Sequence, residues 1–139
     1  MITENSQNEM RERLKAALQE RVRAMVDAIP EAKSLGLQVT DSAYNQSIVD
    51  VSTSTERQPF INLRLTFNGI YLDVCLDCIP KRYKPTEYNT QQEFKIMRDW
   101  KFGTFFCDLD ERYPMQPETL AEALLEPVAG VFRKIGENP

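Results

Sequence analysis

The chain contains no histidine among its 139 residues. Histidine is the commonest general base and the commonest zinc ligand in proteins, so its absence excludes Ser-His and Cys-His nucleophilic systems within this chain. Glycine is scarce, with five residues that do not cluster, and neither GxxxxGK[ST] nor GxGxxG occurs. The sequence therefore also lacks the common phosphate-binding loops.

Long apolar runs and export signals are missing as well. No stretch approaches the roughly 20 apolar residues that span a bilayer, and the polar segment Met1–Met10 lacks the apolar centre of a signal peptide. Three cysteines are an odd number in a chain without such a signal, which favours free thiols in a reducing compartment. We therefore expect a cytoplasmic protein that does not enter a membrane.

Two of the cysteines, Cys75 and Cys78, have the CxxC spacing of metal and redox sites. The surrounding pattern predicts a strand, and an offset of three along a strand sends side chains to opposite faces. We therefore interpret the three cysteines as structural thiols and expect no cofactor.

What the chain does contain is the composition of one globular domain. With 42% hydrophobic and 27% charged residues and a net charge of −4, it can form a core and remain soluble. We expect a flexible tail over residues 1–5 and a single domain over residues 6–136.

Amphipathic helices are predicted at both ends. Residues 6–29 carry an apolar stripe at helical spacing, and residues 117–136 repeat it, with Pro127 expected to kink or split the second helix. Thr90 followed by Glu93 has the spacing of a capping box and predicts a short helix that ends at Gly103.

A β-hairpin that turns at Asn68-Gly69 is the clearest pattern in the chain, because Asn-Gly is favoured by two-residue type I′ turns. Apolar residues alternate with polar ones on either side of this turn: Ile61, Leu63, Leu65 and Phe67 before it, and Ile70, Leu72, Val74 and Leu76 after it. The turn predicts that Phe67 faces Ile70 and that Arg64 faces Asp73, with all eight apolar residues on one face.

These elements predict an α+β fold with the order α-β-β-β-α-β-α. We expect a mainly antiparallel sheet of three or four strands with one apolar face. That face must be shielded from water, and each of the two terminal helices has one apolar stripe that can pack on it. We therefore expect a two-layer sandwich in which both helices pack on the same face of the sheet.

The order helix-strand-strand-strand-helix-strand resembles the core of the PD-(D/E)xK nucleases. That family places an Asp and a (D/E)xK triplet on neighbouring strands to hold magnesium. The resemblance implies a divergent metal-dependent nuclease-like domain with an incomplete site. Its candidate metal ligands here are Asp73, Asp77 and Asp108, while Glu93-Phe94-Lys95 matches the triplet but falls in the predicted helix.

The same order, the small size and the acidic balance also resemble the type III secretion chaperones, which hold an extended segment of another protein. Small immunity-type inhibitors share these traits. For both classes the resemblance concerns the fold and not a sequence motif. Together with the missing catalytic groups, it favours a non-catalytic protein-binding domain over the nuclease-like alternative.

The candidate binding residues lie on the polar face of the hairpin and in the basic loop that follows it. They are Arg64, Tyr71, Asp73, Lys81, Arg82 and Tyr83. Another protein is the expected partner. The basic and aromatic residues of the loop make weak contact with nucleic acid an alternative. The sequence is also compatible with a homodimer.

Overall fold

The computed structural model describes residues 4–42, 45, 47–54, 58–85, 91–99, 103–107 and 114–137. The helices are α1 (Glu4–Ala28), α2 (Pro30–Ser34) and α3 (Pro117–Glu137), and a short 3₁₀ turn covers Lys81–Tyr83. The strands are β1 (Gln38–Asp41), β2 (Ile48–Ser52), β3 (Phe60–Asn68), β4 (Tyr71–Ile79), β5 (Gln91–Asp99) and β6 (Gly103–Cys107).

The described strands form one antiparallel sheet in the order β1-β2-β3-β4-β5-β6. The predicted α+β class, with an antiparallel sheet and helices at both ends, is confirmed. The sheet is larger than predicted, with six strands instead of three or four. The difference has two sources: a short first strand before β2, and a fifth strand where a helix was predicted.

One apolar cluster joins the sheet to the two long helices. Every second residue of β3 and β4 points into it, and α1 and α3 contribute their apolar stripes. The largest fully buried members include Leu14, Leu18, Ile61, Leu63, Leu65, Leu72, Leu76, Phe106, Leu120 and Phe132. Because fully burying one such side chain stabilises the fold by about 1.5–3 kcal/mol, this cluster fixes the helices on one face of the sheet.

The predicted helix between the hairpin and the last strand is wrong, because residues 91–99 form β5. Phe94, Met97 and Trp100 are spaced as on a helix, but Phe94 and Ile96 also alternate as on a strand. Pairing with β4 and β6 favours the alternation, since it buries Ile96 between two neighbouring strands. The pairing of residues 91–99 with β4 and β6 thus outweighs the local capping-box pattern, which predicts a helix.

The β3–β4 hairpin forms, but its register differs from the predicted one. Phe67 pairs with Leu72 instead of Ile70, so the two-residue loop is Gly69-Ile70. Gly69 has a positive φ of 62°, which glycine adopts without strain and which the first loop position of a type II′ turn requires. The slip is two residues, so the paired side chains keep their faces. Ile70, however, leaves the apolar face for the loop.

The last helix, α3, continues through Pro127. The proline therefore does not split it, although proline removes one backbone donor from the helix. Buried Leu124 and Val128 lie on either side and hold both halves against the core. The helix also continues past Gly136, to Glu137.

The β6 edge of the sheet is covered by the segment that leads into α3. Phe106 and Met115 exchange two backbone hydrogen bonds, of 2.8 Å and 2.6 Å. An edge strand that is paired in this way offers fewer free backbone groups to another chain.

Candidate binding face

The sheet face opposite the helices, called the open face below, carries the polar residues that alternate with the core. Among the described residues, its members on β2 to β5 include Asp50, Asn62, Arg64, Thr66, Tyr71, Asp73, Cys75, Asp77, Ile79 and Glu93. The long helices of the described chain pack on the other side, where their buried residues join the core. The open face is therefore the natural place to look for binding residues.

Arg64 forms a two-point ion pair on the open face, although not with its predicted partner. Its Nε lies 2.9 Å from Asp50 Oδ1 and its Nη2 lies 3.3 Å from Asp50 Oδ2. The predicted partner, Asp73, is not opposite Arg64, because the shifted register places Cys75 there. The hydrogen bond to Asp50 raises the pKa of the Arg64 guanidinium. Half of the Arg64 side chain remains exposed, so a partner can still contact it.

Asp73 instead faces Glu93 of β5. The amide of Ile96 donates to the carbonyl of Ile70, so alternation along the ladder makes Asp73 and Glu93 a non-hydrogen-bonded pair, in which side chains approach closely. The hydrogen bond between the two carboxyl groups raises the pKa of Glu93. Two like charges directly opposite each other destabilise a sheet, so this pair favours a cationic neighbour.

Glu93 was missed as a residue of the open face because its segment was predicted to be helical. The alternation of Phe94 and Ile96 was the signal that could have placed Glu93 on a strand face. No local pattern, however, indicates that Asp73 is the residue opposite it.

Asp77 lies four residues from Asp73 along β4 and has different contacts. Lys84 Nζ lies 3.4 Å from Asp77 Oδ1, and Cys75 Sγ lies 3.8 Å from Asp77 Oδ2. Asp108, the third candidate metal ligand, lies outside the described residues. Within the described residues, no group of three or more His, Cys, Asp or Glu side chains is arranged to hold a metal ion.

The basic loop separates into a buried and an exposed part. Tyr83 is only 5% exposed and belongs to the core, so its ring is not available for stacking on a nucleic-acid base. The Arg82 guanidinium lies 4.9 Å from the centre of that ring, and its Nη2 donates to Tyr83 Oη at 3.0 Å. Lys81 is exposed beside them. The loop therefore offers two cations and no free aromatic ring in its 3₁₀ turn.

Cys75 and Cys78 lie on opposite faces of β4, as the sequence predicts. Cys75 is partly exposed on the open face, whereas Cys78 is buried in the core. Burial raises the pKa of the Cys78 thiol to about 11 and is also the main cause of the raised pKa of Cys75. Because the thiolate is the reactive form, both side chains are poor nucleophiles and metal ligands at neutral pH.

Exposed apolar side chains lie at both ends of β4. Tyr71 is 37% exposed beside the hairpin loop, and Ile79 is 49% exposed at the opposite end of the strand. Ile70, displaced into the loop, adds a third exposed apolar residue. The charged residues of the open face thus lie between two exposed apolar side chains, Tyr71 at one end of β4 and Ile79 at the other.

Comparisons of the chain with protein-family models, with curated proteins and with solved structures gave no match. In the described part of the chain, none of the helices has the length and apolar character needed to cross a bilayer.

Proposed function

We propose that this protein is a non-catalytic binding domain that holds another protein against the open face of its sheet. The observation that carries the proposal is the arrangement of β4, where exposed Tyr71 and Ile79 flank the charged centre of a face without a described helix on it. Aromatic residues and arginine are enriched at protein interfaces, where a few of them contribute most of the binding energy.

The chemistry of the open face indicates what the partner should present. Apolar side chains would contact Tyr71 and Ile79, and a lysine or arginine would be attracted by the Asp73–Glu93 pair. Arg64 offers a guanidinium that is already held in one orientation by Asp50, so little side-chain entropy is lost when a partner binds it. Small acidic chaperones and immunity proteins are the classes of binding protein that best fit these traits.

Replacing Tyr71 with alanine is expected to weaken binding of a protein partner about 30-fold, because truncating an interface aromatic commonly costs about 2 kcal/mol. Partners would be isolated with tagged wild-type protein and identified by mass spectrometry. The affinity of each purified partner would then be measured by calorimetry.

The matched control is Glu126→Ala, because Glu126 is an exposed residue of α3 on the helix side. The control should bind the same partner with wild-type affinity. A partner that binds the Tyr71 variant normally and loses affinity for the Glu126 variant would place the binding surface on the helices and contradict the proposal.

A second candidate function is metal-dependent hydrolysis, and one observation favours it. With residues 91–99 in a strand, Glu93 and Lys95 share the open face, and the register places them opposite Asp73 and Tyr71. A (D/E)xK triplet thus lies on the strand next to an aspartate. The pair of carboxylates could bind one Mg²⁺ or Mn²⁺ ion, with Lys95 near it.

Thermal unfolding with Mg²⁺ or Mn²⁺ tests this second candidate. Ion binding should raise the Tm of the wild type, and Asp73→Asn should abolish that rise while Asp77→Asn keeps it. The raised pKa of Glu93 means that a proton on Glu93 competes with the ion. The rise in Tm should therefore be larger at pH 8 than at pH 5. A Tm that does not respond to either ion at pH 8 would exclude this function.

A further inference from the structure

The free edge of β1 carries backbone groups whose direction follows from the ladder that joins β1 to β2. The N–H of Ser42 donates to the carbonyl of Ile48 at 3.2 Å. Bonded and non-bonded residues alternate along an antiparallel strand, so Thr40 also bonds to β2. The N–H and C=O groups of Val39 and Asp41 therefore point away from the sheet.

These groups are available to another chain. Among the described residues, no backbone hydrogen bond involves the outward groups of Val39 or Asp41. The opposite edge of the sheet differs, because Phe106 of β6 is paired with Met115. An open edge of this kind is a template on which a further strand can pair.

Some of the usual protections of an edge strand are missing from β1, although its four residues make it a short edge. The strand reads Gln-Val-Thr-Asp, without proline or lysine. Its single charge, Asp41, is turned towards α1, where its carboxylate lies 2.5 Å from Lys15 Nζ and 2.6 Å from Arg11 Nη2. These contacts, the hydrogen bond from Lys15 above all, hold the pKa of Asp41 below its usual value. The carboxylate is thus neutralised by its own chain and does not repel an approaching strand.

A groove of about 360 Å³ lies beside this edge, between α1 and β1. Its lining is Val22, Val26, Leu37 and Val39, with Gln19 and Arg23 at the polar positions. A strand added to β1 would place every second side chain on the helix side of the sheet, against this apolar lining.

We propose that the strand added to β1 is β1 of a second copy of this chain, antiparallel to the first. Val39 and Asp41 are the two outward-facing residues, and Thr40 lies between them. Pairing Val39 with Asp41 of the second copy lets these residues exchange four backbone hydrogen bonds about a two-fold axis at Thr40.

Side-chain chemistry supports this register. Arg23 lines the groove beside Val39, so the Asp41 carboxylate of the second copy, which is already paired with Arg11 and Lys15 of its own chain, would meet a cation and not a like charge. The two Thr40 side chains would lie next to each other at a non-hydrogen-bonded position, where paired threonines are a favourable combination.

The dimer would join two six-stranded sheets into one, with their open faces side by side. It does not rest on the proposed function, because partner binding is tested at Tyr71 and self-association at Thr40.

Cysteine cross-linking at β1 tests the proposed register. In a Cys75→Ser background, Thr40→Cys should form a disulfide-linked dimer under mild oxidation, because the two positions lie about 4.5 Å apart between Cα atoms. The matched variant Gln38→Cys lies on the same strand face, but its symmetry mate would be about 14 Å away, beyond the reach of a disulfide. We expect at least about tenfold less dimer from Gln38→Cys and none from the parent.

Sedimentation of the reduced protein provides the second measurement. Wild type should be dimeric, and Val39→Pro should weaken the dimer by about tenfold or more, because it removes an outward N–H without breaking the β1–β2 ladder. Val39→Ala keeps that N–H and should have a smaller effect. Equal cross-linking at both positions, no cross-linking at Thr40, or a monomeric wild type at about 100 µM would each overturn the proposal.

Discussion

Replacing Ile96 with alanine is expected to lower the free energy of unfolding by about 2–5 kcal/mol. Ile96 is 1% exposed and lies opposite Phe106 on the core side of the sheet. The truncation removes buried methyl groups and leaves a cavity between β5 and β6 that rigid neighbours fill only in part. Urea unfolding followed by circular dichroism measures the loss.

Met97→Ala is the control that separates a strand from a helix over residues 91–99. In the observed strand Met97 is partly exposed on the open face, so its truncation should cost less than about 1 kcal/mol. On the predicted helix, Met97 would belong to the buried stripe with Phe94. Met97→Ala would then lower the free energy of unfolding more than Ile96→Ala does. A Met97 variant less stable than the Ile96 variant would therefore contradict the strand.

Replacing Thr53 with valine is expected to cost about 1–3 kcal/mol, although the two side chains have nearly the same shape. Thr53 is 1% exposed just after β2. Its Oγ1 accepts the Ile61 N–H at 2.9 Å, and its own N–H donates to the Ile61 carbonyl at 3.0 Å. Valine would leave the buried Ile61 N–H without an acceptor. Urea unfolding gives the free energy.

Hydrogen exchange at the Ile61 amide gives the local readout for the same substitution. Exchange should be faster in Thr53→Val than in wild type, because the amide has lost its acceptor. Thr53→Ser keeps the hydroxyl and should leave this amide protected, even where the lost methyl group lowers global stability. Equal protection in the valine and serine variants would show that the hydroxyl is not the acceptor.

The candidate binding face could be predicted in part. Period-two alternation placed Arg64, Tyr71 and Asp73 together, and they do share one face of the sheet. Their partners could not be predicted, because Asp50 and Glu93 lie on strands whose register depends on the whole sheet. Charge complementarity across the hairpin predicted Asp73 as the partner of Arg64, but the observed register places Cys75 opposite Arg64. The ion pair forms instead with Asp50 on the other neighbouring strand.

Tyr83 shows a different limit of local reasoning. Its basic neighbours made it look like part of an exposed recognition loop. Whether an aromatic ring beside two cations faces solvent or the core depends on what packs over it, and here the ring joins the core. The exposed candidates of that loop are reduced to Lys81 and Arg82.

By itself the sequence determined the α+β class, the terminal helices, the existence of the hairpin and the face on which each paired hairpin residue lies. These features depend on local periodicity, and a register slip of two residues leaves them unchanged. Tertiary structure alone decided the number of strands, the Gly69-Ile70 loop and the Asp73–Glu93 pair, and it left β1 as an open edge. Such features depend on pairing between distant segments, where burying Ile96 between β4 and β6 outweighs the local capping pattern at Thr90 and Glu93.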